Sequence, residues 1–422
     1  MSVLLKKFPK IAPYIVCFTA ALFFAFELMQ LHMMNAIAPM LMSDFDLNAA
    51  NFGLLSSTYL LADVIFLIPA GIILDKVSTR KVILFAMILC VIGTFGFALS
   101  PGFYVACLFH FISGIGNAFC FLSCIMLVTK WFEPAKQSLI IALVITTGMF
   151  GGFIAQSPFS ALANLLSWRS ALLVDGIFGL VILALIALLV HDKGSKTTFT
   201  LVSNGEFITG LKKCFGSLQN IACGLYISFM NMPLMIIGAV YGSLFLTQRH
   251  GISLVESSFV ISMICVGTII GSPMFGHLGD YLGHKKLLMA AGSILSTITF
   301  FTIMYLGPSQ IFTLITLFTL LGVFTSSQVL GYPLITQYAD KELTGTSTSV
   351  AAVIIMGLPM LLGPLAGKIM DLYSYRCATT NETIFPSESF HFAFLIFPIG
   401  FILAFSLLSL IKEKNVLYNP IN

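Results

Sequence analysis

The sequence is short of charge. Only 9% of its 422 residues are Asp, Glu, Lys or Arg, against 58% hydrophobic, where a soluble chain of this length carries about 25% charged residues. Water would not keep such a surface dispersed, so lipid is the solvent expected for most of it. The net charge of +4 is small and forms no dense basic stripe, which argues against nucleic-acid binding. There is no CxxC pair of the metal-binding kind, no HExxH, no nucleophile elbow and no pair of catalytic acids in a polar loop. No metal, no cofactor and no enzyme chemistry is therefore expected. No GxxxxGK[ST] loop is present, which argues against ATP as the energy source.

The nine cysteines are scattered, mostly in apolar runs. They read as small buried hydrophobes, even Cys120 and Cys124, which stand one helical turn apart. Cys377 is the exception, in a polar stretch from Asp371 to about Ser389.

What fills the chain is long apolar runs. A helix needs about 20 apolar residues to cross a bilayer. That ruler gives spans over 13–41, 51–73, 82–100, 103–128, 138–163, 168–190, 219–246, 255–277, 286–306, 310–335, 346–369 and 389–411. Pro39 is expected to bend or end the first. The basic start (Lys6, Lys7, Lys10) is followed by an apolar stretch too long for a signal peptide, so the first span is expected to stay as a helix. The fold class expected is an all-α membrane protein of twelve transmembrane helices in two six-helix bundles. An N-terminal bundle over 1–191, a linker over 192–218 and a C-terminal bundle over 219–422 follow from the polar stretch in the middle. Twelve spans put both termini on one side, and that side gathers 17 of the 21 Lys and Arg, leaving 4 on the other. The positive-inside rule then makes both termini cytoplasmic.

Two loops repeat. The chain reads Gly71-x3-Asp75 followed by Lys76, Arg80 and Lys81, and again Gly276-x3-Asp280 followed by Gly283, Lys285 and Lys286, with an offset of 205 residues. Duplication at about half the chain length marks a transporter built from two bundles. The first loop resembles the signature G-x-L-a-D-R-x-G-R-[RK] of the major facilitator superfamily, with Ser78 at the second glycine; the second copy is the closer match. Leu108–Ala118 resembles a second family motif, with His110 where arginine is usual. Gly148, Gly151 and Gly152 resemble the glycine-rich antiporter motif without its Gly-Pro pair, and Trp168-Arg169 is also family-like. A narrower resemblance, through Phe24–Glu27, Ala38–Met42, Phe52–Ser56 and Ile68–Gly71, is to the phagosomal transporter (Pht) group, importers of amino acids or nucleosides from intracellular gammaproteobacteria. The resemblance implies a monomer in the bacterial inner membrane. It implies too that the repeated loops (Gly71, Asp75, Arg80; Gly276, Asp280, Gly283, Lys285) act as conformational latches, their glycines permitting a tight turn.

An acid inside a bilayer is a functional candidate by default. Glu27, in the middle of the first span, is expected to take up a proton or to face a substrate amine, with Gln30 and Met34 on its stripe. Asp63 is expected to relay protons or to make a polar contact between spans 2 and 11. His110 titrates near neutral pH and is a third proton candidate, with Asn117 on its stripe. Asp175 is expected to face the outer vestibule or to pair with Arg169. Tyr226, Asn231, Gln328 and Tyr332 are polar groups in apolar runs, and Gln156 is a weaker one. The resemblance sets spans 1, 4, 7 and 10 around the substrate cavity. The function expected is proton-coupled uptake of a small polar nutrient such as an amino acid. Efflux of a drug, siderophore or metabolite is the alternative, and a membrane-embedded receptor a remote one.

Overall fold

In lipid, every backbone N–H and C=O must be satisfied inside its own segment, and an apolar run does this as a helix. The computed structural model describes residues 10–192, 212–307, 310–338, 344–376 and 383–413. Eleven helical stretches among the described residues are long and apolar enough to cross a bilayer. In chain order the elements begin with α1 (Ala12–Asp44), α2 (Ala49–Lys76), α3 (Thr79–Ala98), α4 (Phe103–Trp131), α5 (Pro134–Ile154), α6 (Ser157–Leu166) and α7 (Trp168–Leu189). They continue with α8 (Leu218–Met232), a π-helical stretch (Pro233–Tyr241), α9 (Gly242–His250), α10 (Leu254–Leu282), α11 (Lys285–Tyr305) and α12 (Ile311–Thr325). A 3-10 stretch (Ser326–Leu330), α13 (Gly331–Tyr338), α14 (Thr344–Leu372), strands β1 (Tyr375–Arg376) and β2 (Thr383–Ile384), α15 (Ser387–Phe394) and α16 (Ile396–Leu407) complete the order. β1 and β2 pair antiparallel; Cys377 lies outside the described residues.

Three expectations are corrected. Pro39 does not end the first helix, which runs on to Asp44. The single span over 138–163 is two helices, because Gln156 leaves helical geometry (φ −89°, ψ −105°). Pro158 follows, with no N–H to give to the carbonyl four residues back. The seventh and tenth spans keep their length but change helix type part-way, at Pro233 and at Ser326.

The chain divides into two units: Met1–Asp46 with Leu54–Thr200, and Leu47–Gly53 with Leu201–Asn422. In the first, α3 packs along α4, and α1 along α5, over a core that includes Phe23, Phe26, Cys90, Phe119 and Ile186. Asp192 closes the α3 N-terminus, accepting from the Ser78 hydroxyl and, at 3.4 Å, from Arg80 N. The Arg80 guanidinium donates to Ala187 O at 2.6 Å. In the second unit Glu413 does the same for α11, accepting from Lys285 N at 2.5 Å and Lys286 N at 3.2 Å. Each repeated loop is thus followed by a helix whose free N–H groups meet a carboxylate from beyond the unit's last long helix.

A third carboxylate performs this task within the second unit. Asp371 accepts from Ala49 N at 2.7 Å and Ala50 N at 2.8 Å. Beside it the Tyr241 hydroxyl reaches Ala49 O at 2.8 Å and Gly363 O at 3.1 Å. Replacing Asp371 with Ala leaves both N–H groups without this partner. The expected cost is about 1–2 kcal/mol, read as a lower unfolding midpoint in detergent; an unchanged midpoint would show that water replaces the carboxylate at no cost.

Candidate functional site

α1 is apolar at its start and polar through its middle. Glu27, Gln30, His32 and Asn35 are all buried, none more than 1% exposed. In an apolar medium each must find a partner on a neighbouring helix. Glu27 finds two. The Tyr59 hydroxyl of α2 donates to its Oε2 at 2.5 Å, and the Cys90 thiol of α3 donates to its Oε1. Space for this comes from α4: a Cβ on Gly116 would stand 2.0 Å from Cys90 Sγ and 3.4 Å from Glu27 Oε1.

One turn along α1, the Gln30 amide donates to Asp175 Oδ2 of α7 at 2.5 Å, and its Oε1 accepts from the Thr94 hydroxyl at 3.1 Å. Asp63 of α2 stands near Asn117 of α4. His110 is buried between the rings of Tyr59 (5.2 Å) and Phe97 (5.3 Å). Further along, Asn35 Nδ2 donates to Gln156 Oε1 at 2.8 Å. Four helices of the first unit (α2, α3, α4 and α7) and the break between α5 and α6 therefore bring polar groups to α1 or close to it. Glu27, Asp63 and Asp175 are 0%, 3% and 4% exposed. Among the described residues no Lys or Arg pairs with any of the three. The donors that meet them are neutral, and Asp175 Oδ1 has no partner.

Several expectations change here. Asp175 does not pair with Arg169, which stands about 9 Å further along the helix at 1.5 Å per residue. Arg169 instead pairs with Asp44 at 2.7 Å, donates to Ala98 O and Ser100 O, and lies over the Trp168 ring at 4.2 Å. Tyr226 spends its hydroxyl between helices, on Met289 O and Ser327 Oγ, each at 2.9 Å. Tyr332 is 41% exposed, while Asn231, just before the π stretch, and Gln328, within the 3-10 stretch, are buried. Met34 is buried. Gly71 and Gly276 lie inside α2 and α10 with nothing within 4 Å of a Cβ, and only Gly283, at φ +68°, makes a turn that glycine favours. The Asp75 and Asp280 side chains lie outside the described residues.

Tyr59, Cys90, Thr94 and His32 were not legible as site residues. Cys90 and Thr94 have the i, i+4 spacing of one helix face, the single signal available in advance.

The Major Facilitator Superfamily model matches residues 16–229 and again 221–419. The chain belongs to the major facilitator superfamily. The two matches fall on the two repeated halves. Its relatives include the "Probable galactarate/D-glucarate transporter GarP" of Escherichia coli (strain K12), 24% identical over 377 residues that span 79% of this chain and 83% of that one. Another is the "Hexuronate transporter" of Bacillus subtilis (strain 168), 22% identical over 283 residues, 65% of this chain and 67% of that one. In fold it is similar to a bacterial homologue of the human lysosomal transporter Spinster in an inward-facing, unoccupied conformation. That match has a TM-score of 0.74 and 17% identity over 95% of this chain and 98% of the other. This major facilitator is thus a multi-pass, all-α membrane protein that acts in secondary transport of small molecules and is not an enzyme.

The close approach at Gly116 gives a direct test. Gly116→Ala sets a methyl against Cys90 Sγ and is expected to cut the yield of folded protein severalfold. The pair Gly116→Ala with Cys90→Ala is expected to recover only a small part of it, because the Ala86 carbonyl still stands 2.9 Å from the new methyl; a wild-type yield from Gly116→Ala alone would contradict the geometry.

Proposed function

We propose that this major facilitator takes up a small polar nutrient, an amino acid being the favoured class, by alternating access driven by protons that load and leave the Glu27 cluster. One observation carries the reading: a carboxylate in the middle of a membrane helix, fully enclosed, met by a phenol and a thiol rather than by a cation. Neutral donors solvate a carboxylate but leave its charge in place, and a charge in a low-dielectric interior is costly. A proton or a substrate ammonium removes that cost. Asp175 meets Gln30 one turn along α1 from Glu27, so occupancy of one acid bears on the other. One proton crossing 100 mV supplies about 2.3 kcal/mol.

A sugar-acid substrate is the second reading, favoured by the printed names of two relatives. Against it stands the lack of a Lys or Arg paired with the buried acids among the described residues, since a dianion in such an interior needs a fixed cation. Placement in the inner membrane with both termini cytoplasmic is supported by the 17-to-4 division of basic residues. Monomeric action is part of the same proposal. So is a latch role for the repeated loops; the Arg80 guanidinium is already engaged there with the carbonyl of Ala187, and the Lys285 backbone N–H with Glu413.

Glu27→Gln keeps the shape and removes the titration. In proteoliposomes offered labelled amino acids, nucleosides and sugar acids, it is expected to lower uphill accumulation under an inward proton gradient by about 100-fold while gradient-free counterflow continues. Accumulation at the wild-type level would rule out Glu27 as the coupling acid.

A further inference from the structure

We propose that His32, at the break between α5 and α6, is a binding point for a hydrogen-bond donor on the transported solute, an ammonium or a hydroxyl. This inference rests on the transport reading above but not on its proton step.

The His32 ring faces two ways. Its Nδ1 lies 2.8 Å from Leu28 O. A carbonyl only accepts, so Nδ1 carries the hydrogen, and in the neutral ring Nε2 is then a bare acceptor. That nitrogen is buried and has no partner. Buried polar atoms are rarely left so, and the exceptions ask for an explanation. Among soluble folds an ordered water is the usual one; in a transporter interior the cargo is another.

The surroundings favour cargo. The ring lies against the last turn of α5, where a Cβ on Gly152 would be 3.3 Å from Nδ1 and 3.5 Å from Cε1. Glycine at this position admits the imidazole. Two residues later α5 ends, and Gln156 at the break is tied to α1 through Asn35 at 2.8 Å and through His32 O at 3.5 Å. The first turn of α6 holds a second buried polar group without a partner, the Ser160 hydroxyl. A broken membrane helix is tolerated where it is buried in protein or lines a cavity, and such breaks mark the cargo sites of many transporters. Here the break and two unsatisfied buried side chains occur on neighbouring helices of one unit. His32 lies five residues from Glu27 along α1, about 7.5 Å at 1.5 Å per residue. Cargo and proton groups thus share one helix without sharing atoms.

The test has two arms. In native vesicles, the His32→Cys chain is treated with 2-aminoethyl methanethiosulfonate and modification is read by peptide mass. A position on the solute path is expected to react at least about tenfold faster than Cys124, a cysteine buried in the core. Equal rates at the two positions would overturn the proposal, and this readout does not depend on proton drive. The second arm compares two substitutions that each keep one ring nitrogen's role. His32→Asn keeps a donor toward Leu28 O and loses the far acceptor; His32→Gln keeps an acceptor near Nε2. For whichever of labelled L-threonine, uridine and D-glucarate the wild type accumulates, His32→Asn is expected to raise KM about tenfold, the usual worth of one hydrogen bond to a charged or buried partner. His32→Gln is expected to stay within about threefold. A wild-type KM in His32→Asn would overturn the proposal, as would equal losses in both variants.

Discussion

A carboxylate inside a bilayer must find its partners within the protein, because lipid offers none. In the first unit this constraint applies three times, at Glu27, Asp63 and Asp175, and much of the local structure answers it. Tyr59 and Cys90 are placed to donate to Glu27 and Gln30 to Asp175, while Asn117 stands near Asp63. A Cβ on Gly116 would press on both the Cys90 thiol and the Ala86 carbonyl oxygen, so glycine leaves the thiol room to reach its acceptor. The result is a set of acids held in fixed places by neutral groups, an arrangement that stays sensitive to any proton or cation that arrives.

The two repeated halves share a frame and differ inside it. Each has a signature loop, and each closes the helix after that loop with a carboxylate from beyond the last long helix, Asp192 in one and Glu413 in the other. The interior of the second unit has no counterpart to the three acids among its described residues. Its buried polar groups are neutral: Tyr226, Ser228, Asn231, Ser243, Ser327 and Gln328. Its irregularity lies in the backbone, in a π stretch after Asn231 and a 3-10 stretch that contains Gln328. Helix-type changes of this sort free backbone groups and often accompany functional positions. Duplication thus preserved the ends of the helices while charge and backbone geometry diverged in the middle.

Much of the fold was legible in the sequence. Apolar runs of bilayer length, the Gly-x3-Asp repeat and the uneven distribution of Lys and Arg are local or additive signals. The misses share a cause. Arg169 and Asp175 lie near each other in sequence, but a helix sets them about 9 Å apart along its axis, and Asp175 meets Gln30 from 145 residues away instead. Cys90 and Thr94 look like ordinary apolar-run residues until α3 is laid against α1. The α5–α6 break was signalled only by Pro158, since Pro39, Pro69 and Pro273 sit inside continuous helices. Which proline interrupts a helix depends on what its neighbours can offer the freed carbonyl, and that is a property of packing. Gly71 and Gly276 misled for the opposite reason: a family pattern suggested a turn where the helices simply run on to Lys76 and Leu282, and of the three loop glycines Gly283 alone makes the turn.

The account centres on protons moving through the acid cluster, and the most direct measurement is the pH inside the vesicle. Proteoliposomes with trapped pyranine, given external amino acids, nucleosides and sugar acids in turn, report proton entry that accompanies solute entry. The account predicts acidification of the lumen with the accepted solute in the wild-type protein and none with Glu27→Gln. Solute entry at an unchanged internal pH, or equal acidification by both proteins, would contradict it.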